Sequence, residues 1–137
     1  MAQPCGARTE IEQVATISAL LDAYDVSDEE PYRMMAEELS HYICVQLRNG
    51  SGGGFVDRAP AADDIGLLRR RRTPFVENAE AALALARVSR LEQRKGFPNP
   101  AEFREPALAA LHAAGRQLDG QGPLAAHYAL ARLQLIN

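Results

Sequence analysis

The sequence contains no tryptophan, only four phenylalanines and four tyrosines, and a single lysine, Lys95. Because aromatic side chains supply much of the buried area of globular proteins, this scarcity predicts a thin core built partly from contacts between alanines. No run of about 18 apolar residues occurs, so no transmembrane helix is expected. The first ten residues lack the apolar stretch of a secretory signal.

Cysteine is also scarce, since Cys5 and Cys44 are the only two. Two cysteines make a poor disulfide framework for a secreted domain, and we therefore expect a cytoplasmic protein that does not contact membranes. The chain of 137 residues has an apolar fraction of 47%. This length fits one domain of ordinary size, so residues 1–137 are predicted to form a single helical domain.

Helix signals dominate the first third of the chain. Thr9 with Glu12 and Ser27 with Glu30 match the capping box, in which a hydroxyl residue is followed three positions later by glutamate. Apolar residues at helical spacing follow each box. The second helix is predicted to continue to about Leu47, where Asn49–Gly50 would supply the left-handed residues that end it.

Further helices are predicted in the second half. A short one spans Ile65–Arg72, and Thr73–Pro74 opens the longest, which ends at Gly96. Pro106 breaks or restarts the next helix, and Pro123 opens the last one, which reaches Ile136. The sequence therefore predicts an all-α fold, a compact bundle of five or six helices.

A glycine-rich segment near residues 49–60 interrupts the helical pattern. Gly50, Gly52, Gly53 and Gly54 hold a single conformation only at high entropic cost, which predicts a mobile loop. An alternative remains, because residues 42–47 are rich in β-formers and Asn49–Gly50 is a typical hairpin turn. A hairpin within residues 42–56 is therefore the second possibility.

Charge is strongly segregated along the chain. Residues 1–64 carry twelve acidic and four basic side chains, whereas residues 65–137 carry six acidic and eleven basic ones. The basic half contains four consecutive arginines, and further cations lie at helical spacing on the longest predicted helix. Such a surface can contact phosphates without reading sequence. The candidate nucleic-acid-binding residues are Arg69, Arg70, Arg71, Arg72, Arg87, Arg90, Arg94 and Lys95.

An alternative explains the same cations without nucleic acid. The arginines can pair with the acidic N-terminal half, within one chain or across an oligomer. That acidic half can instead dock a basic partner protein. The candidate partner-binding residues are Asp25, Asp28, Glu29 and Glu30.

No motif indicates a catalytic centre, a metal site or a cofactor. Glu38 and His41 match the E-x-x-H element of di-iron bundles, but such sites need two elements and two further carboxylates, and no second element occurs. Cys44 lies in an apolar run, which predicts an inert buried thiol. The glycine-rich segment lacks the G-K-[ST] ending of a P-loop.

Three functional hypotheses follow. The first is a non-enzymatic helical subunit or adaptor of a larger assembly, a nucleoprotein complex, that braces phosphate backbone through its arginine-rich surface. Its partners would be other protein subunits or further copies of itself. The second is a protein-binding inhibitor or regulator that acts through the acidic N-terminal half. The third is a metal-dependent enzyme that uses Glu38 and His41.

Overall fold

The computed structural model describes residues 10–50, 53–57, 65–66, 72–96 and 101–136. These residues form five α-helices and a 3₁₀ turn at Gly122–Leu124, which confirms the predicted all-α bundle. The helices are α1 (Glu10–Ser27), α2 (Glu30–Gln46), α3 (Phe75–Lys95), α4 (Arg104–Gly115) and α5 (Ala125–Ile136).

Helix α3 is the centre of the bundle. It packs against each of the other four helices, and twelve of its 21 residues are buried. A helix that is apolar on most of its faces is stable only when other elements surround it. Five of these twelve residues are alanines, among them Ala79, Ala82 and Ala86. Alanines thus form part of the core, as predicted, and Phe75 at the start of α3 packs with Ala79 and Ala114.

The ends of α3 lie close to the predicted positions. Gly96 has a left-handed φ of 74° and its N–H is bonded to the carbonyls of Glu92 and Gln93, which confirms the predicted stop. The start is one residue later than predicted, because Pro74 is the N-cap and its side chain cannot accept a capping bond. The Thr73 hydroxyl instead accepts a hydrogen bond from Asn49 Nδ2 at 3.3 Å.

The capping box predicted at Ser27 is wrong. Ser27 is the last residue of α1, and its hydroxyl donates to the Ala23 carbonyl at 2.8 Å. Glu29 is the N-cap of α2, and its side chain makes no capping bond. Asp28 between the helices has a positive φ of 56°, and the Ser27 hydroxyl accepts a hydrogen bond from the Glu29 N–H at 3.2 Å, so a left-handed residue and a short local bond turn the chain. The box predicted at Thr9 lies outside the described residues.

The end of α2 also differs from the prediction. The helix ends at Gln46, with Leu47 as C-cap, and Asn49 and Gly50 are not left-handed. Instead, Arg48 and Phe55 form an isolated antiparallel bridge. The Asn49 N–H donates to the Gly54 carbonyl and the Val56 N–H donates to the Leu47 carbonyl, both at 2.8 Å.

The glycine-rich segment is thus partly anchored, unlike the mobile loop expected. Phe55 is fully buried in the main core cluster. Within the described part of residues 42–56, the predicted hairpin is reduced to this one bridge, because residues 42–46 remain helical. The helix predicted at 65–72 lies mostly outside the described residues.

The later helices follow the sequence signals closely. Pro106 lies in the first turn of α4, where the N–H that proline lacks has no helical partner anyway. The helix ends at Gly115. Pro123 belongs to the 3₁₀ turn that leads into α5. The central helix α3 carries four of the candidate cations, Arg87, Arg90, Arg94 and Lys95. We call these four residues the basic stripe.

Candidate functional site

The basic stripe of α3 faces the acidic residues of α1. Arg87 Nη2 lies 2.7 Å from Asp22 Oδ1 and 3.2 Å from Asp25 Oδ2. One guanidinium therefore joins two carboxylates that are one helical turn apart on α1. Arg87 therefore pairs with the acidic half of the same chain, as the alternative to phosphate contact predicted.

Lys95 is engaged in the same way at the other end of the stripe. Its ammonium group forms an ion pair with Glu30 and lies 5.0 Å from the centre of the Tyr24 ring. Glu30 also accepts a hydrogen bond from Arg33 Nε at 2.6 Å. The hydrogen bonds from Lys95 and Arg33 lower the pKa of Glu30 to about 2. This cluster fastens the start of α2 to the end of α3.

Arg90 has a structural partner that the sequence did not suggest. Its guanidinium donates to the side chain and to the backbone carbonyl of Gln134, in the last turn of α5. Arg104 of α4 donates from Nη2 to the neighbouring Leu135 carbonyl at 2.9 Å. Two arginines thus satisfy carbonyls that a helix end leaves without partners and oppose the negative end of its dipole.

Arg72 and Arg94 differ from the other described candidates. Both are exposed, and neither side chain has a hydrogen bond or ion pair among the described residues. Arg94 borders a groove of about 390 Å³ between α1, α3 and α5, whose walls also carry Asp25, Arg87 and Arg90. A phosphate entering this groove meets cations whose charge is already partly balanced. Arg69, Arg70 and Arg71 lie outside the described residues.

The four candidate partner-binding acids divide equally. Asp25 and Glu30 are held in the ion pairs with Arg87 and Lys95. Asp28 and Glu29 are exposed at the turn between α1 and α2. A basic partner therefore meets two predicted carboxylates that already form ion pairs within the fold and two that form none among the described residues.

The proposed metal ligands are not assembled. Glu38 is exposed, while His41 Nδ1 lies 3.1 Å from Glu102 Oε1 and its ring meets the Phe103 ring edge-on at 4.9 Å. Within the described ranges, no three His, Cys, Asp or Glu side chains are placed to hold a metal ion. Cys44 is half-buried, and burial raises its thiol pKa to about 12. At neutral pH this thiol is therefore protonated and unreactive.

Glu92 is a buried carboxylate that sequence reasoning missed. It lies near the end of α3 and is only 4% exposed. Burial is the main reason that its pKa rises to about 7. The nearby carboxylates of Glu37 and Glu102 raise the pKa further. The nearby basic groups of His41 and Arg33 lower it. A glutamate at a position that is apolar in the helical pattern is the one sequence signal that could have revealed it.

We predict that Glu92 makes the protein less stable as the pH rises. Its folded-state pKa of about 7 exceeds the ordinary value of 4.5, so the folded state holds the proton more tightly. The resulting stabilisation is complete below pH 4.5 and is lost as the pH rises through 7. Glutamine does not titrate, so Glu92→Gln should lack this loss. The free energy of unfolding of Glu92→Gln, measured relative to the wild type, is expected to be about 1–2 kcal/mol higher at pH 8 than at pH 5.

Urea denaturation of both proteins between pH 5 and pH 8 tests this prediction. The control is Glu38→Gln, which removes the same charge from an exposed position of α2 and should retain the wild-type pH profile. Parallel profiles for the wild type and Glu92→Gln would show that Glu92 does not titrate in this range.

The most unusual surface lies on α5. Of its twelve residues, only Ala131 and Leu135 are buried. Leu130, Leu133 and Ile136 on the outer side are 54%, 57% and 60% exposed. We call Ala126, Ala129, Leu130, Leu133 and Ile136 the Leu face.

Helix α2 carries a comparable outer surface. Met34, Met35 and Val45 are 58%, 51% and 74% exposed, and Glu38 lies among them at helical spacing. We call these four residues the Met face. Contiguous exposed apolar residues on a globular protein commonly mark contact surfaces, so the two faces are stronger candidates for function than the largely paired basic stripe.

No family model, curated protein or solved structure matches the chain. None of the described helices combines the length and the apolar character that crossing a membrane requires.

Proposed function

We propose that this protein is a non-enzymatic subunit or adaptor that joins a larger assembly through its exposed helix faces. The observation that carries the proposal is the Leu face of α5, a helix that turns most of its apolar side chains to solvent. Arg90 and Arg104 hold the last carbonyls of this helix. The Leu face is therefore presented on a firmly docked helix, which suits it to rigid contact with another protein.

A single substitution in the middle of the Leu face tests this function. Leu133→Asp adds a charge to a residue that is 57% exposed, so the fold is retained while a partner would have to bury a carboxylate. In extracts of the native cells, the tagged wild type is expected to sediment with its partners. Leu133→Asp is expected to sediment as a free chain of 14.9 kDa.

Val26→Asp is the matched control. Val26 is 91% exposed near the end of α1 and belongs to neither face, so this variant should sediment like the wild type. A wild type that sediments as a free chain, or a Leu133→Asp variant that stays in the assembly, would contradict the proposal.

We further propose that the assembly handles nucleic acid, with the available guanidinium groups bracing phosphates. Arg72 and Arg94 support this idea because both are exposed without partners among the described side chains. The proposal also includes Arg69, Arg70 and Arg71, which lie outside the described residues, so five phosphate contacts are expected.

The salt dependence of binding distinguishes five phosphate contacts from eight. On duplex DNA, a plot of log K against log salt concentration is expected to have a slope of about −4.5 with five contacts, whereas all eight candidate cations would give about −7. Fluorescence anisotropy with a duplex DNA and a single-stranded RNA at several salt concentrations measures this slope.

Single substitutions show which arginines contact phosphate. Arg94→Gln is expected to make the slope shallower by about 0.9, while Arg132→Gln, which removes an exposed arginine from α5, should leave it unchanged. The absence of binding even at low salt would remove nucleic acid from the proposed function and leave the protein contacts of the adaptor.

A further inference from the structure

We infer that the Leu face of one copy of this chain docks on the Met face of a second copy, in a head-to-tail arrangement. This inference rests on the proposed adaptor function and names the partner of the Leu face. It follows from the charges on the two faces, from their places in the bundle and from their chemistry.

One charged residue belongs to the Met face and one borders the Leu face, and their charges are opposite. Glu38 lies within the Met face, and Arg132, the only charged residue of α5, lies at the edge of the Leu face. Pairing two Leu faces would bring two arginines together, and pairing two Met faces would bring two glutamates together. Only the mixed pair sets opposite charges against each other, and such complementarity selects partners and register.

The other glutamates of α2 pair with cations of the same chain. Helix α2 carries three glutamates and one arginine, Arg33, and this arginine is buried and paired with Glu30 and Glu37. Glu30 and Glu37 are thus already balanced by cations, and Glu38 is the glutamate of α2 without an ion pair among the described residues. Helix α5 contains no acidic residue, so the attraction between the two faces rests on Glu38 and Arg132.

The two faces can be occupied at the same time. Helix α2 packs mainly on α1 and α3, and α5 packs mainly on α3 and α4. Each copy therefore offers one face to the copy before it and one to the copy after it. A contact between two different surfaces of the same chain does not close in a dimer but generates a ring or an open row of copies.

The chemistry of the faces suits helix-to-helix contact. On α5, Ala129, Leu133 and Ile136 line a shallow hollow of about 430 Å³ with Arg132 at its side. Methionine side chains are flexible and adapt to irregular apolar surfaces, so Met34 and Met35 can fill such a hollow. Leucine and alanine in turn let the two helices approach closely.

The size of the contact sets its strength. A helix of twelve residues is about 18 Å long, so one pair of faces buries less than the roughly 1,600 Å² of a standard interface. A weak contact is expected, populated at high protein concentration. Copies held side by side on a larger scaffold would form it readily, because tethering raises the effective concentration.

Two variants, each with one face blocked, test the pairing directly. Met35→Asp blocks the Met face and leaves the Leu face intact, while Leu133→Asp does the reverse. In sedimentation velocity over a range of high concentrations, the wild type is expected to grow beyond a dimer, and each variant alone should remain a monomer. Each substitution should weaken self-association at least about 30-fold.

The mixture of the two variants gives the decisive result. It contains one intact Leu face and one intact Met face, so it is expected to form a dimer of about twice 14.9 kDa and nothing larger. Circular dichroism verifies that both variants are folded, and Val26→Asp, outside both faces, should associate like the wild type.

Charge reversal supplies an independent measurement. Glu38→Arg and Arg132→Glu should each weaken self-association of the wild type by roughly two- to fivefold. The double variant carries both reversed charges, so it should recover the wild-type affinity. Recovery in the double variant is not expected if the effect of each substitution is merely structural.

Three results would overturn the inference: a wild type that stays monomeric at high concentration, a mixture that forms no dimer, or a Met35→Asp variant that still self-associates. These failures differ from failure of the adaptor function. If self-association is absent while Leu133→Asp still releases the chain from its cellular assembly, the Leu face binds a different protein and the proposed function stands.

Discussion

Replacing Gly54 with alanine is expected to lower the free energy of unfolding by about 3–5 kcal/mol. Gly54 has a φ of +75°, which side-chain-bearing residues rarely adopt. A Cβ atom at this position would lie 2.6 Å from both Ala113 Cβ and Asn78 Oδ1. Ala113 Cβ is fixed by the backbone of α4, and Asn78 Oδ1 is held by its hydrogen bond from the Phe55 N–H. The glycine-rich segment would therefore have to move away from α3 and α4.

Two neighbouring glycines provide matched controls for the same measurement, urea denaturation at constant pH. Gly53 has nearly the same φ, +74°, but the nearest atom to its Cβ would be the Ala109 carbonyl oxygen at 3.9 Å. Gly53→Ala therefore costs only backbone strain, about 1 kcal/mol. Gly50→Ala meets open space and should change little. Equal losses for Gly53→Ala and Gly54→Ala would show that close packing at Gly54 is unimportant.

Replacing Asn78 with alanine is expected to cost a similar amount, about 3–5 kcal/mol. The Asn78 side chain accepts a hydrogen bond from the Phe55 N–H at 2.7 Å and donates to the Phe55 carbonyl at 2.9 Å. It also donates to the Pro74 carbonyl at 2.8 Å. Alanine leaves the N–H and the carbonyl of Phe55 buried without these partners, and each such group loses its water without compensation.

Asn78→Asp separates the two kinds of bond. Aspartate keeps the acceptor for the Phe55 N–H but sets a second oxygen against two carbonyl oxygens, so we expect a loss at neutral pH larger than that of alanine. Protonation restores one donor, and part of the stability should return at acidic pH. The control Gln117→Ala removes an exposed bond to the Thr73 carbonyl and should change stability by no more than about 0.5 kcal/mol. A comparable loss in the control would exclude a special role for Asn78.

The helices were largely predictable because their signals are local. Gly96 ends α3 where a left-handed glycine was expected, and proline stands in the first turn of α4. The attachment of Phe55 was not predictable, because its partner Asn78 lies 23 residues away. Neither residue has a neighbour in sequence that would indicate the contact. A glycine-rich stretch therefore indicated a mobile loop, although part of it is bound to the core.

The candidate site was predictable only as a set of alternatives. Charge segregation correctly raised the possibility that Arg87 and Lys95 pair with the acidic half, but sequence alone could not decide between pairing and phosphate contact. The bond from Arg90 to Gln134 has no sequence signal, because an arginine that binds a carbonyl of another helix needs no particular spacing. The exposure of Leu133 was equally hidden, since helical periodicity gives the apolar face but not whether another helix covers it.

The hydrogen bonds between Asp57 and Arg72 have a consequence for the segment that they enclose. The Asp57 N–H donates to the Arg72 carbonyl at 2.8 Å, and the Arg72 N–H donates to Asp57 Oδ1 at 3.2 Å. The two ends of the intervening segment, 58–71, therefore meet at one point of the bundle. Because doubling the length of a closed loop costs only about 0.6 kcal/mol, a change in the length of this segment is expected to cost little in closing its two ends. Arg69, Arg70 and Arg71 lie within the segment, so a different number of consecutive arginines is compatible with the same attachment at Asp57.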